Sequence, residues 1–143
     1  MRRFLPSLIL LGVALAQPKI EVKDAWVREV PPNSRSSAAY MVIENQGNEP
    51  DKLIGAKSDI SKVAEIHETV GGKMRRVKYI EIPAGKKVEL KPGGYHIMLI
   101  DLKKPTKEGQ QVELVLQFEK SGQVKVNAPL KKGIGKMEEH HHH

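Results

Sequence analysis

Cysteine is absent from this 143-residue chain, and aromatic residues are few: one Trp, three Tyr and two Phe. Without cysteine no disulfide can staple the fold, so the core must hold itself together by burial. The same absence removes the thiolate that a blue-copper electron-transfer centre requires. The aromatics are too few for a stacking platform, and the 24 Lys and Arg are spread along the chain, which argues against nucleic acid as a partner. The formal charge of +7 then reads as a solvated surface that favours an acidic partner. Helical periodicity is scarce, and no apolar run reaches the roughly 20 residues that span a bilayer.

What is present begins with a short leader. Arg2 and Arg3 precede an apolar run from Phe4 to Ala16, and Ala14-Leu15-Ala16 has the small-x-small pattern of a signal-peptidase site. Residues 1–16 are therefore expected to be a cleaved secretory signal peptide, which places the mature chain, from Gln17, in the periplasm or another extracytoplasmic space without stable membrane insertion. Residues 17–130 suit one domain.

Within that domain, short runs alternate apolar and polar with a period of two and are broken by turn residues. This predicts an all-β fold, a Greek-key β-sandwich or barrel of seven or more strands. The first strand is expected over residues 20–29, with Ile20, Val22 and Trp26 on one parity and Trp26 as a core plug. Further strands are expected over 38–44, 53–56, 63–69, 74–82, 87–90 and 95–102. In the last pair Val112, Leu114, Leu116 and Phe118 face inward, and Val124 and Val126 return beyond a Ser121-Gly122 turn. Met41 lies inside its strand and reads as flexible core filler.

One stretch concentrates soft-metal chemistry. Residues 67–98 hold both histidines outside the C-terminal tail, His67 and His96, together with Met74 and Met98. Imidazole nitrogen with thioether sulfur suits copper, and copper(I) best where no thiolate or carboxylate competes. His96 and Met98 are two apart on one strand, so they share a face with β-carbons roughly 7 Å apart. A loop of even length centred near Val70-Gly71 or Gly71-Gly72 places His67 and Met74 on one face too, with Glu65, Arg76 and Lys78, looking away from the core, whereas a three-residue loop would separate them. Each residue alone has a plain reading, histidine as a hydrogen-bonded strand residue and methionine as filler. Spacing by itself leaves a metal site and coincidence equally open.

Glu65-Ile66-His67-Glu68-Thr69 and Val88-Glu89-Leu90-Lys91-Pro92-Gly93-Gly94-Tyr95-His96-Ile97-Met98-Leu99 resemble the periplasmic copper chaperones of the PCuAC family. The likeness extends through Asp24-Ala25-Trp26-Val27-Arg28, Ala38-Ala39-Tyr40-Met41, Lys107-Glu108-Gly109 and Phe118-Glu119-Lys120-Ser121-Gly122. It implies a cupredoxin-like fold and a copper(I) ligand pattern of histidine, ten residues, methionine, twenty-one residues, then His-x-Met. Here twenty-one residues separate Met74 from His96, and His96-Ile97-Met98 matches, but six rather than ten separate His67 from Met74. Removing an even number from a hairpin tip leaves both side chains on their face.

The resemblance implies that His67 and His96 give nitrogen, and Met74 and Met98 sulfur, to one copper(I) ion. It implies no catalysis, and a monomer that passes copper to cytochrome c oxidase assembly at the CuA centre, with oxidase subunit II or a Sco-like protein as acceptor. Two alternatives share the sequence: a general periplasmic copper buffering or resistance protein, and a metal-free extracytoplasmic β-sandwich binding module. A copper oxygenase fits poorly, because such enzymes use an N-terminal histidine and the expected mature terminus is Gln17. Residues 131–143 lack periodicity, are expected to be disordered, and end in Met137-Glu138-Glu139 and His140 to His143. Those histidines read either as a purification tag or as a second copper site, which would favour copper(II).

Overall fold

The computed structural model describes residues 16–133, so the expected leader up to Ala14-Leu15 and the histidines of the tail lie outside the described residues. Ten strands follow in chain order among them: β1 (Ile20–Arg28), β2 (Ser36–Asn45), β3 (Asp51–Ser58), β4 (Ser61–Val70), β5 (Lys73–Arg76), β6 (Ile80–Ile82), β7 (Lys87–Leu90), β8 (Tyr95–Leu102), β9 (Gln111–Phe118) and β10 (Gly122–Lys131). They hydrogen-bond in the order β5-β4-β8-β2-β1-β10-β9-β3-β6, with β7 beside β2. Only β1 and β10 pair in parallel. Among the described residues no helix is long and apolar enough to cross a membrane.

Alternation explains most of this sheet. On β9 Val112, Leu114, Leu116 and Phe118 are buried, while the residues between them are exposed or half-buried. They meet Ala39, Met41 and Ile43 of β2, Ile97 and Leu99 of β8, and Ile66 of β4 in one apolar core between two layers of the wrapped sheet. Met41 is the core filler its position predicts. At the far end Asp51 anchors the β9–β10 turn onto β3, accepting from the N–H groups of Lys52, Lys120 and Ser121 and from the Ser121 hydroxyl. Burial alone would raise its carboxyl pKa, but these four bonds outweigh it and hold the pKa below the usual range.

Three expectations are corrected. Asp24 takes a φ of 54°, and the β1–β2 register slips by one between Lys23 and Trp26. This bulge reverses the parity of the rest of β1, so Val27 enters the core and Trp26 turns to the outer face. There it packs against Tyr40 with ring centroids 4.7 Å apart. The strand expected over 74–82 is two strands: the chain leaves β4 after the Val77 N–H bonds to the Ile66 carbonyl, and β6 joins β3 instead. Tyr79, in the gap, is exposed, with the Lys52 ammonium 4.4 Å from its ring centre. Lys131, expected in the tail, ends β10 and accepts a hydrogen bond from the Glu29 N–H.

Candidate metal centre

The hairpin that carries the first two candidate ligands turns on Gly71-Gly72, both with positive φ, 60° and 81°. Two such residues suit a two-residue type I′ turn, whose twist matches that of the strands. The register that follows sets Thr69 opposite Met74 and His67 opposite Arg76. The loop is therefore even, and His67 and Met74 share a face as parity requires. β8 then places His96 directly opposite His67 and Met98 opposite Glu65. On the other side of β8, Ala38 of β2 is opposite Met98.

This face points away from the core, yet solvent does not reach most of it. His96 is only 4 % exposed, whereas Met74, on the edge strand, is 55 % exposed. Tyr40 supplies part of the cover, with its ring centroid 6.3 Å from that of His96. The outer aspect of β2 is buried at Ala38 and Tyr40, just as its inner aspect is at Ala39 and Met41.

The two imidazoles lie 5.9 Å apart between ring centroids. One nitrogen of each is engaged: His67 Nε2 with the Glu65 carboxylate at 3.0 Å, and His96 Nδ1 with the Gly94 carbonyl at 3.1 Å. Both partners are acceptors, so these nitrogens carry the protons and the opposite nitrogens carry lone pairs. Those opposite nitrogens, His67 Nδ1 and His96 Nε2, are buried and have no hydrogen-bond partner among the described residues. Buried polar atoms are nearly always paired, and an acceptor hydrogen-bonded to the far nitrogen is how metal-ligating histidines are oriented. Burial lowers the His96 pKa, the Gly94 bond opposes this, and His67 and Arg28 add to the lowering. His96 is thus held neutral, the form that binds metal.

Met74, His96 and Met98 line one cavity of about 340 Å³, with Thr69 and Gly93 at its wall. Gly94 is in the outward parity between them and carries no side chain, and the Thr69 N–H bonds to its carbonyl. His67 does not line this cavity and stands behind it against His96. A larger cleft of about 670 Å³ lies between residues 29–32 and 104–110, but it offers prolines, lysines and a glutamate, without imidazole or thioether. Donor chemistry favours the smaller cavity. Among the described residues no three His, Cys, Asp or Glu side chains converge as a metal cage. The cavity thus offers thioether sulfur beside imidazole, a donor chemistry that suits a soft cation.

The four candidate ligands are thus brought to one face, Met74 at its exposed rim. Sequence reasoning placed Glu65 on that face without giving it a role, and its spacing two before His67 was the available signal. Arg28 and Tyr40, which close the other side of the cavity, were not anticipated as part of the site.

Comparison with known proteins gives a consistent picture. A family model described as "Putative lipoprotein LpqE-like" matches residues 20–130. A curated relative, "Putative lipoprotein Lxx21020" of Leifsonia xyli subsp. xyli, is 34% identical over 124 residues, covering 83% of this chain and 74% of that protein. Among solved structures, the copper-bound PCuAC domain from PmoF2 superposes with a TM-score of 0.70 at 30% identity, covering 82% of this chain and 96% of that one. The solution structure of CuI-DR1885 from Deinococcus radiodurans gives a TM-score of 0.69 at 34% identity, covering 85% and 83%. The fold is the cupredoxin-like β-sandwich of PCuAC domains.

Proposed function

This chain belongs to the LpqE-like family, and from that premise and its structural likeness to copper-bound PCuAC domains we propose that it is an extracytoplasmic copper(I) carrier. The observation that carries the reading is the pair of buried, unpartnered nitrogens, His67 Nδ1 and His96 Nε2, on facing residues beside Met98 and Met74. In this reading His67, His96, Met74 and Met98 hold one copper(I) ion as cargo, and no reaction is catalysed. The lipoprotein description of the family supports an extracytoplasmic setting.

The donor set also gives transfer a direction. Imidazoles and thioethers are neutral, so they leave the charge of the ion uncompensated, and an acceptor with thiolates holds it more tightly. The acceptor we propose is a copper-accepting protein of cytochrome c oxidase assembly, which receives the ion for the CuA centre. Exposed Met74 marks the side from which an acceptor reaches the ion.

Competition against a chromophoric copper(I) chelator under reducing conditions tests the proposal. The chain should withdraw one copper(I) per molecule, His96→Ala and Met98→Ala should each weaken this, and deletion of His140 to His143 should not. A chain that leaves all the copper with the chelator, or whose uptake disappears with those four terminal histidines, would overturn it.

A further inference from the structure

The cavity beside the candidate ligands holds a cation that no carboxylate among the described residues pairs with. Arg28, the last residue of β1, donates from Nη2 to the Tyr40 hydroxyl at 2.6 Å, and its Cζ stands 5.4 Å from the centre of the Tyr40 ring. Its Nε–H is buried and has no hydrogen-bond partner among the described residues. Among the described residues no carboxylate forms an ion pair with it. Of the residues lining the cavity it is the only Lys, Arg, Asp or Glu, and the hydroxyl-bearing Ser36 and Thr69 share that lining.

A guanidinium presents its donors as a planar fork that matches the two oxygens of a carboxylate. One cation with neighbouring hydroxyls suits a monoanion better than a phosphate dianion, which calls for a second positive group. We propose that this cavity is a carboxylate-binding subsite anchored by Arg28 and opening beside His96 and Met98. Its ligand is either an Asp or Glu side chain of a protein docking to exchange copper, or a small free carboxylate. The subsite exists without copper. Where the copper reading holds, it gains a second role, because a cation held by neutral ligands at the same cavity adds to the attraction of Arg28. By linkage each ligand then strengthens the other.

The test is NMR titration of the full chain with sodium acetate and with a capped Gly-Gly-Asp-Gly-Gly peptide, against sodium chloride at matched ionic strength. The Arg28 Nε–H and Tyr40 ring resonances report on the site. Saturable shifts with acetate or peptide and not with chloride are expected in copper-free protein. Copper(I)-loaded protein should bind the carboxylate about fivefold or more tightly, at the lower end of ordinary coupling. Tighter binding of the peptide assigns the site to a docking protein, and equal or tighter binding of acetate assigns it to a free carboxylate.

Arg28→Gln should abolish the shifts. Arg28→Lys, which keeps the charge without the fork and serves if the first variant does not fold, should weaken binding about tenfold. No saturable shift in copper-free and copper-loaded protein alike, or shifts unchanged in both variants, would overturn the subsite. If copper does not bind at all, the copper-free titration still decides it.

Discussion

Glu65 turns His67 from a half-buried strand residue into a poised donor. It sits two positions earlier on the same face, engages His67 Nε2 at 3.0 Å, and is itself approached by Arg76, whose Nη1 is 3.7 Å from its other oxygen. Outer-shell partners of this kind fix the ring's tautomer and orientation, and losing one lowers metal affinity by about 10–100-fold. Glu65→Ala is expected to weaken copper(I) binding within that range, measured by chelator competition. Unchanged affinity would remove His67 from the ligand set. His96 makes a different prediction, in metal-free protein. Burial lowers its folded pKa, while in the unfolded chain imidazole titrates near about 6.5. Between those two values the unfolded state binds more protons, so stability is present above the unfolded pKa and is lost as pH falls toward the folded one. The urea midpoint should therefore drop as pH falls through and below about 6.5, and His96→Gln should flatten the drop. An identical slope in the variant would contradict it.

The β4–β5 hairpin and the bulge in β1 show what elements reveal of themselves in sequence. Inserting two residues between Gly71 and Gly72 keeps an even loop, so copper(I) affinity should survive nearly unchanged. A single inserted residue forces a bulge or turns Met74 to the opposite face, and affinity should fall. The same single insertion should matter little in a Met74→Ala background, because a ligand already removed cannot be misplaced. Equal weakening by one- and two-residue insertions would exclude Met74 as a ligand. This hairpin was legible because Gly-Gly states its own turn, and parity then fixes which side chains share a face. The bulge at Asp24 was not, since its only signal is a single Asp standing on the apolar parity, and the return of that parity at Trp26 masks it. Its effect is large: it exchanges Trp26 for Val27 in the core and carries Arg28 to the outer face. The β5–β6 break left one trace, the apolar parity slipping from odd at Val77 and Tyr79 to even at Ile80 and Ile82, but the change of pairing partner from β4 to β3 is not a local pattern. Parity could group the candidate ligands His67, Met74, His96 and Met98 on one face, and it was the resemblance that named them as a set. Arg28 and Tyr40 reach the site only through the pairing of β1 with β2 and β2 with β8, which lies beyond local pattern.

At the scale of the whole molecule, the wrapped sheet separates holding from reaching. The core is apolar, the imidazoles sit on the opposite face with His96 against Tyr40, and the one exposed candidate ligand lies on β5, a four-residue edge strand. Lys73, Arg75 and Arg76 on that strand are exposed, which guards the edge against pairing with another copy and leaves Met74 accessible. With no thiolate in the chain, the copper(I) form should be colourless, and an intense blue band would rule out this ligand set. The most direct measurement is X-ray absorption at the copper edge of the full chain loaded with one equivalent of copper(I). Two imidazole nitrogens and two thioether sulfurs in the inner shell are predicted, with the sulfur contribution lost in the Met74→Ala/Met98→Ala double variant. A shell of nitrogen and oxygen alone, or sulfur that persists in that variant, would contradict the site.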